Sequence, residues 1–247
     1  MKEFLGIRRK FYKIFQTFFI LGVMKMIYRA AIFDMDGTLV NTLEDIADSV
    51  NEMLEHFNLP TKTVDEIRLA VGNGAMKLIE RTALFGDKAT DEKFLIDALN
   101  YYDGCYKKNL LNKTKPYDGI IEFLSELNKK NIPLGICTNK QHFAAVEIAE
   151  KILSPINFDA VIGDERGKPK KPDPTNALAI AKNFNVKPEE VAYFGDTSVD
   201  VQTAINAGFF SVGVTWGFRP ESELVKSGAK LIVHHPNEIL NLIDFRK

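Results

Sequence analysis

The chain has 247 residues, enough for one large domain or two modest ones that bury a core without disulfides or a structural metal. Hydrophobic residues make up 45 % of it and charged residues 26 %, the balance of a soluble globular protein, which excludes a disordered or collagenous chain. Lys and Arg total 32 against 33 for Asp and Glu, so the basic excess that draws a protein to polymeric nucleic acid is missing.

At the beginning, Lys2, Arg8, Arg9, Lys10 and Lys13 precede an apolar stretch from Ile14 to Met24, superficially like a signal peptide. The stretch falls short of the ~20 apolar residues of a transmembrane helix, and no small-x-small cleavage pattern follows it. Residues 1–28 are read as an N-terminal extension, disordered or upstream of the true start, with Met24 and Met26 standing just before the first confident strand. A helix lying on a membrane surface is the second reading. No stable membrane association is expected, and a cytoplasmic location is. Cys105 and Cys137, far apart and in no metal-ligand spacing, read as reduced, buried thiols.

From Arg29 onward short apolar runs alternate with helical patterns. Ala30 to Phe33, Ile132 to Cys137, Ala160 to Ile162, Val191 to Phe194, Phe210 to Val214 and Leu231 to Val233 read as buried strands. Between them lie helical faces such as Ile120, Ile121, Phe123, Leu124 and Leu127, then Ala177, Leu178, Ile180, Ala181 and Phe184. Strand and helix in repeated alternation mean an α/β fold, a mainly parallel sheet wrapped on both faces. Residues 42 to 112 break the pattern with helical periodicity and no convincing strand. Leu43, Ile46, Ala47, Val50, Met53, Leu54 and Phe57 share one face, with Thr42 and Asp45 as a capping box. Asn58-Leu-Pro60 ends that helix, Thr63 to Glu66 caps the next, and Val71-Gly-Asn-Gly74 is a loop before a helix from Ala75. The division expected is a core of residues 29–41 and 113–247 carrying an inserted all-helical cap, residues 42–112.

In parallel sheets of this kind ligands sit beyond the carboxyl ends of the strands, so the polar residues following each apolar run form the candidate site. They are Asp34, Asp36, Gly37 and Thr38 after the first run, Thr138, Asn139 and Lys140 after the second, and Asp196 and Asp200 after the fourth, with Lys171 ahead of the helix leading to that strand. Carboxylates so converged repel one another unless a cation lies among them, and an all-oxygen set suits Mg²⁺ better than zinc. Asp34, Asp36, Asp196 and Asp200 are the candidate ligands. Phosphoryl transfer needs a nucleophile, an acid for the leaving oxygen and positive charge on the non-bridging oxygens. Asp34 is the nucleophile expected and Asp36 the acid and base. Thr138, Asn139 and the backbone around Gly37 hold phosphoryl oxygens, and Lys171 offsets their charge.

Each position has a plainer reading. Asp-x-Asp-Gly can be only a strand-ending turn, Thr197 with Asp200 only a helix cap, Lys171 part of a solvated basic loop, and Thr138 the cap of the following helix. Their joint placement at one edge, in this order, favours chemistry.

Phe33-Asp-Met-Asp-Gly-Thr-Leu-Val40, Thr138-Asn139, Lys171-Pro-Asp-Pro174 and Phe194-Gly-Asp-Thr-Ser-Val-Asp200 resemble the four ordered motifs of the haloacid dehalogenase superfamily of phosphatases. The resemblance covers the chain from about Arg29 to the end. It implies a Rossmann-like core, a helical cap inserted after the first motif, Mg²⁺ and a phospho-aspartyl mechanism. Dehalogenases lack the second aspartate, so Asp36 implies a phosphatase acting on a small phosphorylated metabolite, as monomer or homodimer. Val71 to Arg81, Pro116-Tyr-Asp-Gly119 and Gly213-Val-Thr-Trp-Gly217 are similar to the phosphoglycolate phosphatases of that superfamily, which makes 2-phosphoglycolate the leading substrate. Arg81 is a candidate for the substrate carboxylate or an exposed helix residue. Pyrophosphate, nucleotides and sugar phosphates are alternative substrates. A β-phosphoglucomutase-like isomerase is disfavoured, because Asn41 to Asp45 lacks the histidine expected there. A non-enzymatic binding module is disfavoured by the intact Asp34, Asp36, Lys171 and Asp196.

Overall fold

The computed structural model describes residues 26–83 and 92–247. A six-stranded sheet forms the centre, in the order β6 (Ala160–Asp164), β5 (Leu134–Gln141), β2 (Ala30–Phe33), β7 (Val191–Gly195), β8 (Phe210–Val214), β9 (Leu231–Val233). Every pairing in it is parallel. β2 lies inside, with β5 on one side and β7 on the other, so the loops after these three strands open side by side at one edge. This is the parallel sheet that the alternation of runs predicts and the Rossmann-like core that the resemblance implies.

The strands are apolar on both faces because both faces are covered. Successive side chains point to opposite sides, so Ala31 and Phe33 pack with Phe123 and Leu124 of α5 (Ile120–Lys129) and Ile148 of α6 (His142–Lys151). Ala30 and Ile32 face Ile180 of α7 (Thr175–Asn183) and Ala204 of α8 (Ser198–Ala207). Two later helices, α9 (Glu221–Ser227) and α10 (Pro236–Leu242), complete the layers. Phe33 stacks on Phe194 with centroids 4.8 Å apart, joining the first and fourth strands directly beneath the loops that carry Asp34 and Asp196.

The chain leaves this layer at β3 (Val40–Asn41) and returns at β4 (Lys115–Pro116), which pair antiparallel. Among the described residues, four helices lie between them: α1 (Leu43–His56), α2 (Val64–Ala70), α3 (Ala75–Ala83) and α4 (Glu92–Asn109). They form the inserted helical cap. Thr63 and Glu66 make the expected capping box of α2. Thr42 and Asp45 do not. The Thr42 hydroxyl donates to Asp36 at 2.7 Å instead, while the buried Asp45 carboxylate accepts from the backbone N–H groups of Lys113 and Thr114 and from the Thr114 hydroxyl at 2.7 Å. Asp45 therefore ties the start of the cap to the returning strand, because three converging donors satisfy a buried carboxylate better than one helix end can.

Met26–Tyr28, expected within the N-terminal extension, forms β1 and pairs in parallel with β10 (Ile243–Phe245). The apolar stretch from Ile14 to Met24 lies outside the described residues. No helix among the described residues is long and apolar enough to cross a membrane.

Candidate active site

Asp34 is the first residue beyond β2. Its own turn fixes it, since Met35 N–H donates to Asp34 Oδ1 at 2.7 Å. Gly37 follows at φ +79°, in the left-handed region that favours glycine. A Cβ there would stand 2.4 Å from Asp196 Oδ2, so the loop after β2 can lie against the loop after β7 only without a side chain at this point. The Gly37 N–H donates to Val40 C=O at 3.0 Å, closing the turn, and its amide is thus engaged inside the protein rather than offered to a phosphoryl oxygen.

Lys171 Nζ stands 2.8 Å from Asp34 Oδ1 and 2.7 Å from Asp200 Oδ1, with all three side chains nearly sequestered from solvent. The solvated-loop reading of Lys171 is thereby replaced by a buried ion triad. Asp200 both caps α8 and pairs with Lys171: its second oxygen accepts from the Thr197 N–H at 3.0 Å and hydroxyl at 2.6 Å. Asp196 accepts from the Thr38 hydroxyl at 3.2 Å and from Phe218 N–H at 2.8 Å.

One oxygen from each of Asp34, Asp196 and Asp200 lies within 4.8 Å of the others. Burial, with the Asp200 and Asp34 charges, pushes the Asp196 carboxyl well above the ordinary carboxylate range. Burial and Asp200 likewise raise Asp34, against the lowering pull of Lys171. Burial opposes the charge on Lys171, but Asp200 and Asp34 outweigh it and hold the ammonium protonated. Three carboxylates facing a single lysine leave a buried negative excess, which a hard cation with oxygen ligands relieves. The donor set therefore fits Mg²⁺. Asp36, expected among the ligands, directs its carboxylate elsewhere. Oδ1 accepts from Thr42 and lies 2.8 Å from Lys140 Nζ, and the carboxylate is outside the cluster of the other three.

The strand carrying Thr138 runs four residues beyond its expected end at Cys137, to Gln141. Thr138 consequently does not cap α6, whose N-cap is Gln141. The Thr138 hydroxyl accepts from Lys140 N–H at 3.2 Å and reaches the Asp34 carboxylate. Asn139 Nδ2 donates to Lys171 C=O at 3.1 Å in the core and to Gly72 C=O at 3.2 Å in the cap, while its buried Oδ1 has no protein partner among the described residues. Beneath the cap these groups enclose a cavity of about 50 Å³, lined among others by Asp34, Asp36, Thr138, Asn139 and Gly72.

Arg81 does not line this cavity. Its guanidinium donates to Ala70 C=O and Asn73 Oδ1, each at 2.8 Å, and braces the cap loop from outside. Of the two readings, the exposed helix residue is the one its bonds describe. Lys140, given no role from the sequence, is central: its ammonium bridges Asp36 to the Tyr106 hydroxyl of α4, 4.6 Å from the ring centroid. Phe218 and Arg219 were likewise not foreseen. The one available signal was position, since Lys140 follows Thr138 and Asn139 and Phe218 follows the Thr-Trp-Gly segment after β8.

Comparison with known proteins agrees with this geometry. The model of the haloacid dehalogenase-like hydrolases matches residues 31–214. The phosphoglycolate phosphatase of Chromobacterium violaceum is 31 % identical over 220 residues, covering 89 % of this chain and 96 % of that protein. The N-acetylmuramic acid 6-phosphate phosphatase of Pseudomonas putida is 30 % identical over 223 residues, covering 87 % and 96 %. A solved structure of a provisionally named phosphoglycolate phosphatase from Lactobacillus delbrueckii subsp. bulgaricus superposes with a TM-score of 0.80 at 28 % identity, covering 88 % of this chain and 98 % of that one. With three carboxylates and a lysine at the sheet edge, and a family match spanning most of its length, the chain belongs to the haloacid dehalogenase-like hydrolases, on the side of their phosphatases.

Proposed function

We propose that the protein is a Mg²⁺-dependent phosphatase that hydrolyses 2-phosphoglycolate to glycolate and phosphate through a phospho-aspartyl intermediate on Asp34. The observation that carries this reading is the Lys171 bridge between Asp34 and Asp200, with Asp196 alongside. Asp34 Oδ1 is held by Met35 N–H and Lys171, so the carboxylate is aimed before substrate arrives, and the ammonium works against the rise that burial and Asp200 impose on it. Its other oxygen attacks phosphorus as the bond to the leaving oxygen breaks. Asp36 gives that oxygen its proton, then takes one from the water that attacks the acyl phosphate and frees Asp34. Thr138 and Lys171 draw phosphoryl oxygens into the cavity. Asp34, Asp196 and Asp200 would hold Mg²⁺, which would supply the remaining positive charge when bound.

The phosphoryl group would sit in the cavity lined by Asp34, Asp36, Thr138 and Asn139. The relatives named phosphoglycolate phosphatase favour 2-phosphoglycolate as the substrate, while the muramic acid phosphate relative shows that a larger sugar phosphate belongs in any comparison. The protein acts in the cytoplasm on this metabolite.

The test is phosphate release from 2-phosphoglycolate, pyrophosphate, nucleotides and sugar phosphates, with Mg²⁺ or excess chelator, for wild type and Asp34→Asn. Highest kcat/KM on 2-phosphoglycolate, abolished by chelator and by the substitution, is the outcome expected. A higher value on another phosphate moves the substrate assignment, and hydrolysis that survives Asp34→Asn removes the nucleophile.

A further inference from the structure

The cap meets the core through two arginines that exchange places. Helix α2 ends at Ala70; the Val71 N–H makes its last bond, to Ile67 C=O, and the carbonyls beyond have no partner within the helix. Arg219, from the core loop after β8, reaches across. Its Nη1 donates to Arg68 C=O at 2.7 Å, and its Nη2 to Leu69 C=O at 3.0 Å and Val71 C=O at 2.8 Å. Arg81 takes the intervening Ala70 C=O from within the cap. A guanidinium at this end is favoured twice, by the fork of donors and by the negative end of the helix dipole. In return Arg68 of the cap donates to Phe218 C=O at 2.8 Å.

The same peptide segment touches the carboxylate cluster from its other side. Phe218 N–H donates to Asp196 Oδ2 at 2.8 Å. A Cβ on Gly217 would fall 2.3 Å from Asp196 Cβ, so the loop lies directly on that side chain. Trp216 Nε1 donates to Thr38 C=O at 3.0 Å in the loop after β2. Immediately after the carbonyls gripped by Arg219 comes the Val71 to Gly74 loop, whose Val71, Gly72 and Gly74 line the cavity.

We propose that Arg219 is a positioning residue that latches the cap shut and, through Phe218, couples cap closure to cation binding at Asp196. The proposal rests on reading the carboxylate cluster as a cation site. Such coupling is reciprocal: an ion that fixes Asp196 fixes the Phe218 peptide, and with it the acceptor for Arg68, so binding in the core tightens the cap. Arg219→Ala releases three carbonyls, loosens the cap and weakens the ion. Arg219→Lys keeps the charge but cannot span three acceptors, and it recovers only part of the coupling.

The test uses the full chain with MgCl₂ alone and no substrate. Amide hydrogen exchange of residues 68–74 and the fluorescence of Trp216, the single tryptophan of the chain, are followed through the titration. In wild type, Mg²⁺ slows exchange in this segment and changes the fluorescence. In Arg219→Ala the segment exchanges faster without the ion, the slowing is lost, and Mg²⁺ affinity falls about five- to tenfold, within the usual range of couplings between sites; Arg219→Lys lies between. Equal affinity and equal exchange in wild type and Arg219→Ala overturn the coupling while leaving the cation site standing. A wild type that binds no Mg²⁺ overturns both.

Discussion

Lys140 Nζ lies 2.8 Å from Asp36 Oδ1, and these two side chains, 3 % and 13 % exposed, form an ion pair of the core beneath the cap. Lys140 comes from the end of β5, Asp36 from the loop after β2, and the Tyr106 hydroxyl from α4 closes over the ammonium. Under the proposed mechanism, in which Asp36 is the acid and base, that group is steered by a residue that need not touch substrate. Lys140→Met is expected to lower kcat by about tenfold to a hundredfold, a fraction of the ~10²–10⁴ contributed by general acid-base catalysis, with little change in KM. Lys140→Arg should restore part of it. Steady-state kinetics with the best substrate decide the matter, and an unchanged kcat in Lys140→Met dismisses the steering role.

Why Lys140 was not legible, while Lys171 was, is a matter of where the strand ends. An apolar run marks only the part of a strand packed between apolar neighbours, and the run stops at Cys137 although the strand stays buried through Lys140. β5 continues in polar residues because they are the ones facing the cavity. All six sheet strands were legible as apolar runs, since both sheet faces are covered. Asp34 and Asp196 were legible because chain order places them at strand ends, and Asp200 because it opens the helix that follows. Arg219 gives no local signal at all: its partners are backbone carbonyls 148 to 151 residues away, and any carbonyl looks alike in a sequence.

The carboxylate cluster makes a prediction about stability that is independent of turnover. Asp196 is fully buried and its ionisation is opposed by burial, Asp200 and Asp34. Asp196→Asn removes one of the repelling charges but retains the shape. In excess chelator the variant should therefore melt several degrees above wild type, whereas MgCl₂ should raise the melting temperature of wild type much more than that of the variant. Differential scanning fluorimetry in both buffers reads it. An equal rise with Mg²⁺ in both proteins would show that Asp196 is no ligand.

Gly37 tests the steric side of the same site. Its φ of +79° disfavours any side chain, and a Cβ would meet both oxygens and the carboxyl carbon of Asp196 at under 3.0 Å. Relief requires either the β2 loop or Asp196 to move. Gly37→Ala is expected to weaken Mg²⁺ by about tenfold or more, since a shift of an ångström is costly at a preorganised site. It should also lower the melting temperature. Calorimetric titration with MgCl₂ measures the first effect, and wild-type affinity in the variant would show that the loop adjusts freely.

The two cysteines give a prediction with a defined pH dependence. Cys137 lies on β5 beneath Thr138, and burial is the largest cause pushing its thiol up to about 12; burial, reinforced by Glu52, pushes Cys105 up to about 11. The folded protein therefore keeps both protonated where an unfolded chain, with thiols near ~8.5, releases them. At pH 8 the native protein should react with a disulfide reagent far more slowly than denatured protein, which should release two equivalents. The sign of the linkage follows from the same difference. Between the unfolded value and the folded ones the native state holds more protons, so each step upward in pH favours unfolding. Stability measured by urea titration should fall from about pH 8.5 upward; Cys137→Ser and Cys137→Ala should flatten the fall equally, since neither side chain titrates there, while Cys137→Ser should be the less stable of the two at every pH, because a buried hydroxyl asks for a partner that the methyl does not.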